Sequence, residues 1–280
     1  MIIFKKADQL SHHIVLQKDK GLRIGFVPTM GALHQGHISL IEASRATADI
    51  TVCSIFINPT QFNNPEDLKH YPVTIESDLD KLHAAGCDIL FLPEAAEIYP
   101  PGHIKKHYSL GRLETILEGR FRPGHFQGVC EVVDRLLDIV QPHSLFLGQK
   151  DLQQCRVIKQ LLDLTGRAES TSLNIVPTVR EADGLAMSSR NLRLSEEERA
   201  KAPAIFQVLS RIRQELPKHS LPFLEQAARQ ELEQKGFSVD YVSIARASDL
   251  TGSNGKEEPL VALAAASIGS IRLIDNLALN

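Results

Sequence analysis

Three observations predict an α/β fold. Strand-like and helix-like segments alternate through the first two thirds of the chain, as βαβ units around a parallel sheet require. Polar clusters follow the ends of the strand-like segments, where open parallel sheets place a ligand crevice. From Ser195 onward the character changes to charged helices and then to further strand candidates. The expectation is a Rossmann-like parallel sheet with helices on both faces over residues 1–180, plus a smaller C-terminal α+β domain over residues 181–280. Two domains suit 280 residues, because a domain spans roughly 100–200 residues.

Leu22–Val27 reads as a short buried strand, and Ile38, Leu40 and Ile41 begin the apolar spacing of a helix that continues to Ala48. Asp49–Ile57 is a second buried strand. Ile75–Ala85 reads as a crossover helix, with Leu79 and Leu82 at helical spacing and Gly86 closing it. Cys87–Leu92 is a third strand, Val129–Val140 a helix, and Ser144–Leu147 a fourth strand running into Gly148. A helix over Asp151–Leu164 and a strand over Leu173–Val179 complete the lobe, and the polar segment Arg180–Asn191 is a connecting loop. Ser195-Glu196-Glu197-Glu198 is a helix N-terminus with acids in its first turn. Charged helical stretches run from there to about Gln214 and from about Leu221 to Lys235, followed by strand candidates Val239–Ala245, Leu260–Ala266 and Ile271–Ile274.

Composition narrows the function classes. With 31 basic against 34 acidic side chains and a net charge of −3, the chain offers no broad cationic surface for a nucleic-acid backbone. Cys53, Cys87, Cys130 and Cys155 lack C-x-x-C spacing, so neither a zinc site nor a disulfide framework is indicated. No apolar run approaches the ~20 residues that span a bilayer, and the N-terminus lacks the apolar core of a signal peptide. A cytoplasmic protein acting on small molecules is expected.

The most informative run is Pro28-Thr29-Met30-Gly31-Ala32-Leu33-His34-Gln35-Gly36-His37, where a strand gives way to a helix. Glycines allow close backbone approach, free N–H groups at the helix start attract anions, and two histidines add movable positive charge able to stabilise a pentacoordinate phosphate. A plain capping role explains one histidine in that place; the H-x-G-H spacing asks for more. After the second strand, Asn58 and Gln61 offer amides suited to a hydroxylated carboxylate, although an ordinary Asx-turn accounts equally for Asn58. After the fourth, Gly148-Gln149-Lys150-Asp151 supplies glycine for close approach, lysine for a phosphate and aspartate as a helix cap or ligand contact. Ser188, Ser189 and Arg190 in the connecting loop place two hydroxyls and a guanidinium where a mobile linker can cover a triphosphate.

H-x-G-H paired with Met187-Ser188-Ser189-Arg190 resembles the signature of the nucleotidyltransferase superfamily that includes class I aminoacyl-tRNA synthetases. Six segments narrow the resemblance to the pantoate–β-alanine ligase (pantothenate synthetase) family: residues 28–37, Asn58-Pro59-Thr60-Gln61-Phe62, Arg122-Pro123-Gly124-His125-Phe126-x-Gly128-Val129, Gly148-x-Lys150-Asp151-x-Gln153-Gln154, residues 183–191 and Arg272-Leu273-Ile274-Asp275-Asn276. The resemblance implies a two-step ligation. Pantoate's carboxylate attacks the ATP α-phosphate, giving pantoyl adenylate and pyrophosphate, and the β-alanine amine then displaces AMP.

Carried over by position, the resemblance assigns Met30, Gly31, Ala32, Leu33, His34, Gln35, Gly36 and His37 to the ATP site. Gly148, Gln149, Lys150 and Asp151 join them, as do Val179 at the adenine and Met187, Ser188, Ser189 and Arg190 over the triphosphate. Catalysis is expected from His37, His34, Lys150 and Arg190. Pantoate is expected against Gln61, Gln154 and Asn58, and β-alanine against Gln61. Mg²⁺ is implied by ATP, with Asp78 as the nearby carboxylate unless it lies on a solvated helix face. A homodimer formed through the larger lobe, with residues 181–280 closing over the ATP site, is also implied. Val73 stands where the family often has Arg, and Gln149 where Glu is frequent. The competing readings are a nucleotidyltransferase that leaves the nucleotidyl group on its product and a non-catalytic nucleotide-binding module.

Overall fold

The computed structural model describes residues 1–253, 255 and 258–280. Its larger part is a six-stranded parallel sheet in the order β1-β4-β3-β2-β5-β6. These strands are β1 (Ile2–Phe4), β2 (Ile24–Thr29), β3 (Ile50–Ile55), β4 (Ile89–Phe91), β5 (Ser144–Gly148) and β6 (Ser172–Val176). Alternate side chains enter opposite cores, as the period of a strand demands. Ile24, Phe26, Val52, Ile89, Phe91, Leu145 and Leu147 pack beneath the helices Ala7–Lys18, His125–Val140 and Leu152–Leu164. Val27, Cys53, Ile55, Leu90 and Phe146 pack beneath Gln35–Arg45 and Ile75–Ala84. With helices on both faces, the central strands are apolar throughout, which is why they stand out in the sequence.

The second part is an antiparallel sheet of β7 (Ser238–Arg246), β8 (Leu260–Ile268) and β9 (Ile271–Ala278), covered by the helices Ala204–Glu215 and Leu221–Gln234. Ala262, Ala264 and Ala266 let those helices approach closely, joining Ile205, Val208, Leu209, Leu224 and Leu232 in one core. The opposite face of the sheet is not left to water. Leu263, Val261 and Ala245 pack there with Leu152 and against Leu113, Ile116 and Leu117 of the larger part.

Several boundaries differ from the sequence reading. The strand β1 and the helix Ala7–Lys18 carry little pattern: Leu10 and Ile14 are the buried residues of that helix. The helix expected from Val129 begins at His125, and the one expected from Ser195 to about Gln214 is two helices, Glu196–Lys201 and Ala204–Glu215, separated by Pro203. Proline lacks the N–H that a continuous helix would need there. β6 ends at Val176, so Val179 lies in the connection beyond it. No helix among the described residues is long and apolar enough to cross a membrane.

Candidate active site

From β2 the chain steps outward through β3 to β4, then returns to lay β5 on the other side of β2. That reversal opens a crevice beyond the carboxyl ends of β2 and β5. Residues 30–37 leave one strand and residues 148–151 the other. The first turn is tight, with Gly31 at φ +83° and Ala32 at φ +49°, a left-handed pair in which glycine costs least.

The spacing of the two histidines has a local cause. His34 is the N-cap of the helix Gln35–Arg45 and His37 its third residue, and together they form a reciprocal capping box. His34 Nδ1 accepts the Gly36 N–H (3.1 Å), and His37 Nδ1 accepts the His34 N–H (3.2 Å). The rings lie 4.0 Å apart between centroids. A Cβ on residue 36 would stand 2.9 Å from the His34 ring, so any larger residue there must displace that ring. Both Nδ1 atoms accept, so the proton of each neutral ring is assigned to Nε2.

The expected movable positive charge is therefore corrected. Burial, and secondarily Lys150, lower the His34 pKa to about 4; burial, and then His34, hold His37 well below its ordinary value. In the ligand-free protein both are neutral N–H donors at neutral pH. Of the helix-start amides expected to attract anions, the Gly36 N–H is taken by His34 Nδ1 and the His37 N–H by the His34 carbonyl (2.8 Å), and the turn that precedes the helix is braced as well. Gly31 N–H donates to Thr29 Oγ1 (3.2 Å), and the Ala32 and Leu33 amides donate to Asp78 Oδ2 and Oδ1 (2.9 and 2.8 Å).

Asp78 is fully buried and also accepts the Thr74 hydroxyl (3.1 Å). It does not lie on a solvated helix face. Its carboxylate braces the turn, and Lys81 adds a bond from Nζ to the Leu33 carbonyl (2.7 Å). Among the described residues no group of three or more His, Cys, Asp or Glu side chains gathers to hold an ion.

Met30, His34, Gly36, His37, Asn58, Gln61, Gly148, Lys150, Asp151, Gln154, Val179, Met187, Ser188, Ser189 and Arg190 all line one cavity of about 200 Å³. Gly31, Ala32, Leu33, Gln35 and Gln149 do not line it. Gln35 points to solvent, and the Gln149 carbonyl accepts from Asn276 Nδ2 (2.9 Å). A second cavity of about 570 Å³, bounded by residues of the helix Pro65–Lys69, the linker and β9, shares Lys150, Asp151, Ser188 and Arg190 with the first.

On the acceptor side, Asn58 is spent on structure. Its Nδ2 donates to Gln61 Oε1 and to the Gly128 carbonyl (both 3.1 Å), while Oδ1 accepts from Tyr99 OH (2.8 Å) and the Thr60 N–H (3.3 Å). The Asx-turn is real, and it positions Gln61, whose Nε2 donates to Met30 Sδ (2.9 Å). His125 Nδ1, bonded to the Gln61 carbonyl at 2.7 Å, anchors the same turn from the start of the helix His125–Val140. Gln154 makes no side-chain hydrogen bond to the described residues. The cavity wall beside these amides is apolar, built by Phe56, Val129, Val132, Val133 and Leu136.

On the nucleotide side, Lys150 Nζ lies 3.4 Å from Asp151 Oδ2. Asp151 does not cap the following helix with its side chain. Ser189 Oγ donates to the Ala32 carbonyl (3.0 Å), docking the linker on the histidine turn. Val179's carbonyl accepts the Met187 N–H (3.0 Å). Arg190 is paired with Asp67 (Nη2 to Oδ2, 2.8 Å), as is Arg193 (2.6 Å).

Three groups escaped the sequence reading. Asp67 and the Arg193 beside it face the same crevice as Arg190. Thr178 Oγ1 is buried on the cavity wall with no hydrogen-bond partner. Asn276 Nδ2 donates to the Gln149 and Lys150 carbonyls (both 2.9 Å), so β9 holds the lysine turn. The quoted motifs pointed at residues 272–276 without giving that role.

A family model described as pantoate-β-alanine ligase matches residues 2–278. A pantothenate synthetase from Pseudomonas fluorescens is 46% identical over 282 residues, covering 99% of this chain and 97% of its own. A crystal structure of pantothenate synthetase from Thermus thermophilus superposes with a TM-score of 0.92 at 37% identity, covering 100% of this chain and 99% of its own. A pantoate-β-alanine ligase from Francisella tularensis, described as complexed with β-γ ATP and β-alanine, superposes with a TM-score of 0.84 at 36% identity, covering 100% and 98%.

Proposed function

The chain belongs to the pantoate–β-alanine ligase family, and on that premise we propose that it forms pantothenate through a pantoyl-adenylate intermediate, releasing AMP and pyrophosphate. The observation that carries this reading is the convergence of His34, His37 and Lys150 with Gln61 and Gln154 on one cavity. Pantoate's carboxylate and hydroxyls meet the two glutamine amides, and its dimethyl carbon meets the valine wall. The carboxylate oxygen attacks the α-phosphorus of ATP. As the bond to the bridging oxygen breaks, charge grows on the departing pyrophosphate, where the Lys150 ammonium and the two Nε2–H groups donate. One well-placed donor of this kind is worth about 10²–10³ in rate. In the second step the β-alanine nitrogen, having lost its proton, attacks the acyl carbon near Gln61, and AMP leaves with the bonding electrons.

Arg190 and Ser188–Ser189 cover the triphosphate, Val179 meets the adenine through its backbone, and residues 181–280 form the lobe on that side. Mg²⁺ brought in with ATP would be held chiefly by phosphate oxygens and water and would neutralise phosphate charge; among the described residues no cluster of three or more His, Cys, Asp or Glu side chains gathers to hold it by itself. A homodimer in the cytoplasm completes the reading, supported by the family likeness.

Incubation with Mg-ATP, pantoate and β-alanine tests it. AMP, pyrophosphate and pantothenate are expected in equal amounts; ADP, or AMP release indifferent to β-alanine, overturns it.

A further inference from the structure

Arg190 stands between the two cavities, and what holds it there comes from far away in sequence. Asp67, on the short helix Pro65–Lys69, accepts from Arg190 Nε (3.2 Å) and Nη2 (2.8 Å), the side edge of the guanidinium. Arg193 Nη1 grips the other carboxylate oxygen at 2.6 Å. All three side chains are largely shielded from water, with 19–24% exposure. Burial alone pushes the Asp67 carboxyl up, and the two arginines outweigh it, holding the group below its ordinary range. A guanidinium has five N–H donors in a fixed fork. Asp67 takes one edge. Nη1 makes no hydrogen bond to the described residues, and Arg190 lines the cavity that holds His34, His37 and Lys150.

We propose that Asp67 is a positioning residue that orients Arg190, so that the free edge of its guanidinium meets the β- and γ-phosphates of the nucleotide. The inference rests on the functional reading above. Two effects of Asp67 oppose one another, and their difference in sign makes the idea testable. Two arginines and one aspartate leave the cluster with a net charge of +1; removing the carboxylate raises it to +2. Electrostatics alone then predicts tighter binding of a polyanion. Orientation predicts weaker binding, because the arginine must be ordered by the ligand itself.

The experiment measures dissociation constants for ATP and AMP by calorimetry on the wild-type protein, Asp67→Asn and Asp67→Glu. The expected result is a rise of ~10-fold or more in the ATP constant for Asp67→Asn, as for a lost charge-assisted contact. AMP binding stays within about twofold, and Asp67→Glu recovers most of the ATP affinity. Tighter or unchanged ATP binding in Asp67→Asn overturns the proposal. So does parallel weakening of ATP and AMP, failure of the variant to fold, or a Glu variant no better than Asn, since each assigns Asp67 either no role or a structural one. Wild-type protein that does not bind ATP sinks the functional reading itself, a result distinct from all of these.

Discussion

Replacing His37 by asparagine separates the two jobs of that side chain. Asparagine Oδ1 occupies roughly the place of imidazole Nδ1, so the bond from the His34 N–H, 3.2 Å in the native protein, can persist. The Nε2–H directed at the cavity is lost. A cap retained in this way limits the stability change to ~1 kcal/mol, or about 2–4 °C in Tm for a chain of this size class. The lost donor costs ~10²–10³ in the adenylation rate. His34, 4.0 Å away between ring centroids, and Lys150 remain, so activity falls without vanishing. Pantoate-dependent exchange of pyrophosphate into ATP reads this half-reaction alone. Glutamine at the same position reverses the trade: its amide reaches the Nε2 place but abandons the cap, so His37→Gln is the faster and less stable variant. An asparagine variant exchanging within about threefold of wild type refutes the donor role. The opposite ranking of the two variants refutes the assignment of the proton to Nε2.

Other consequences follow from contacts around the site. Asp78→Ala leaves the Ala32 and Leu33 amides and the Thr74 hydroxyl without their acceptor, which costs about 3–5 kcal/mol of stability; urea unfolding measures it, and a loss that added Mg²⁺ repairs would restore the metal reading. Gly128→Ala places a Cβ 2.3 Å from the Thr60 carbonyl and 2.9 Å from the Gln61 nitrogen, so the Gln61 turn must move and pantoate's KM rises ~10-fold or more; a normal KM contradicts the assigned role of that turn. Acid weakens the fold in a defined window. His34 and His125 have folded pKa values of about 4 and about 3, lowered chiefly by burial from 6.5, so the unfolded chain takes up protons first. Their contribution is complete above pH 6.5 and is lost as pH falls toward 4; urea midpoints at pH 7.5 and 5 read the slope, which His125→Asn flattens.

What the sequence displayed and what it concealed divide along one physical line. H-x-G-H is legible because N-cap and third helical residue are three apart by helix geometry, and Lys150 is legible because β5 is an unbroken apolar run ending in glycine. Charge state was not legible, since it depends on burial: the same two histidines read as cations in the sequence are neutral donors in the fold. Nor were partners distant in sequence. Asp78 meets amides 45 and 46 residues away, and Asp67 meets an arginine 123 residues away. A polar residue after a strand can be placed near the crevice by pattern alone. Whether its atoms are open to a ligand, as in Gln154, or consumed by neighbours, as in Asn58, is decided by packing.

The same packing bears on how the site opens. A swing of residues 181–280 as one body would uncover Leu152, Leu250, Val261 and Leu263 between the lobes, on the order of 6–12 kcal/mol if all four were fully exposed. It would also separate Arg272 from Glu118 (2.7 Å) and pull Asn276 from the Lys150 turn. The linker is tied by Ser189 on the Ala32 carbonyl, an ordinary hydrogen bond that contributes about 0.5–1.5 kcal/mol, and by the charge-assisted pair of Arg190 with Asp67, which is the stronger of the two. Closure carried by residues 187–190 would leave those lobe contacts intact, so it predicts hydrogen exchange at Val261–Leu263 unchanged by nucleotide, and a nucleotide-dependent change there assigns closure to the small lobe.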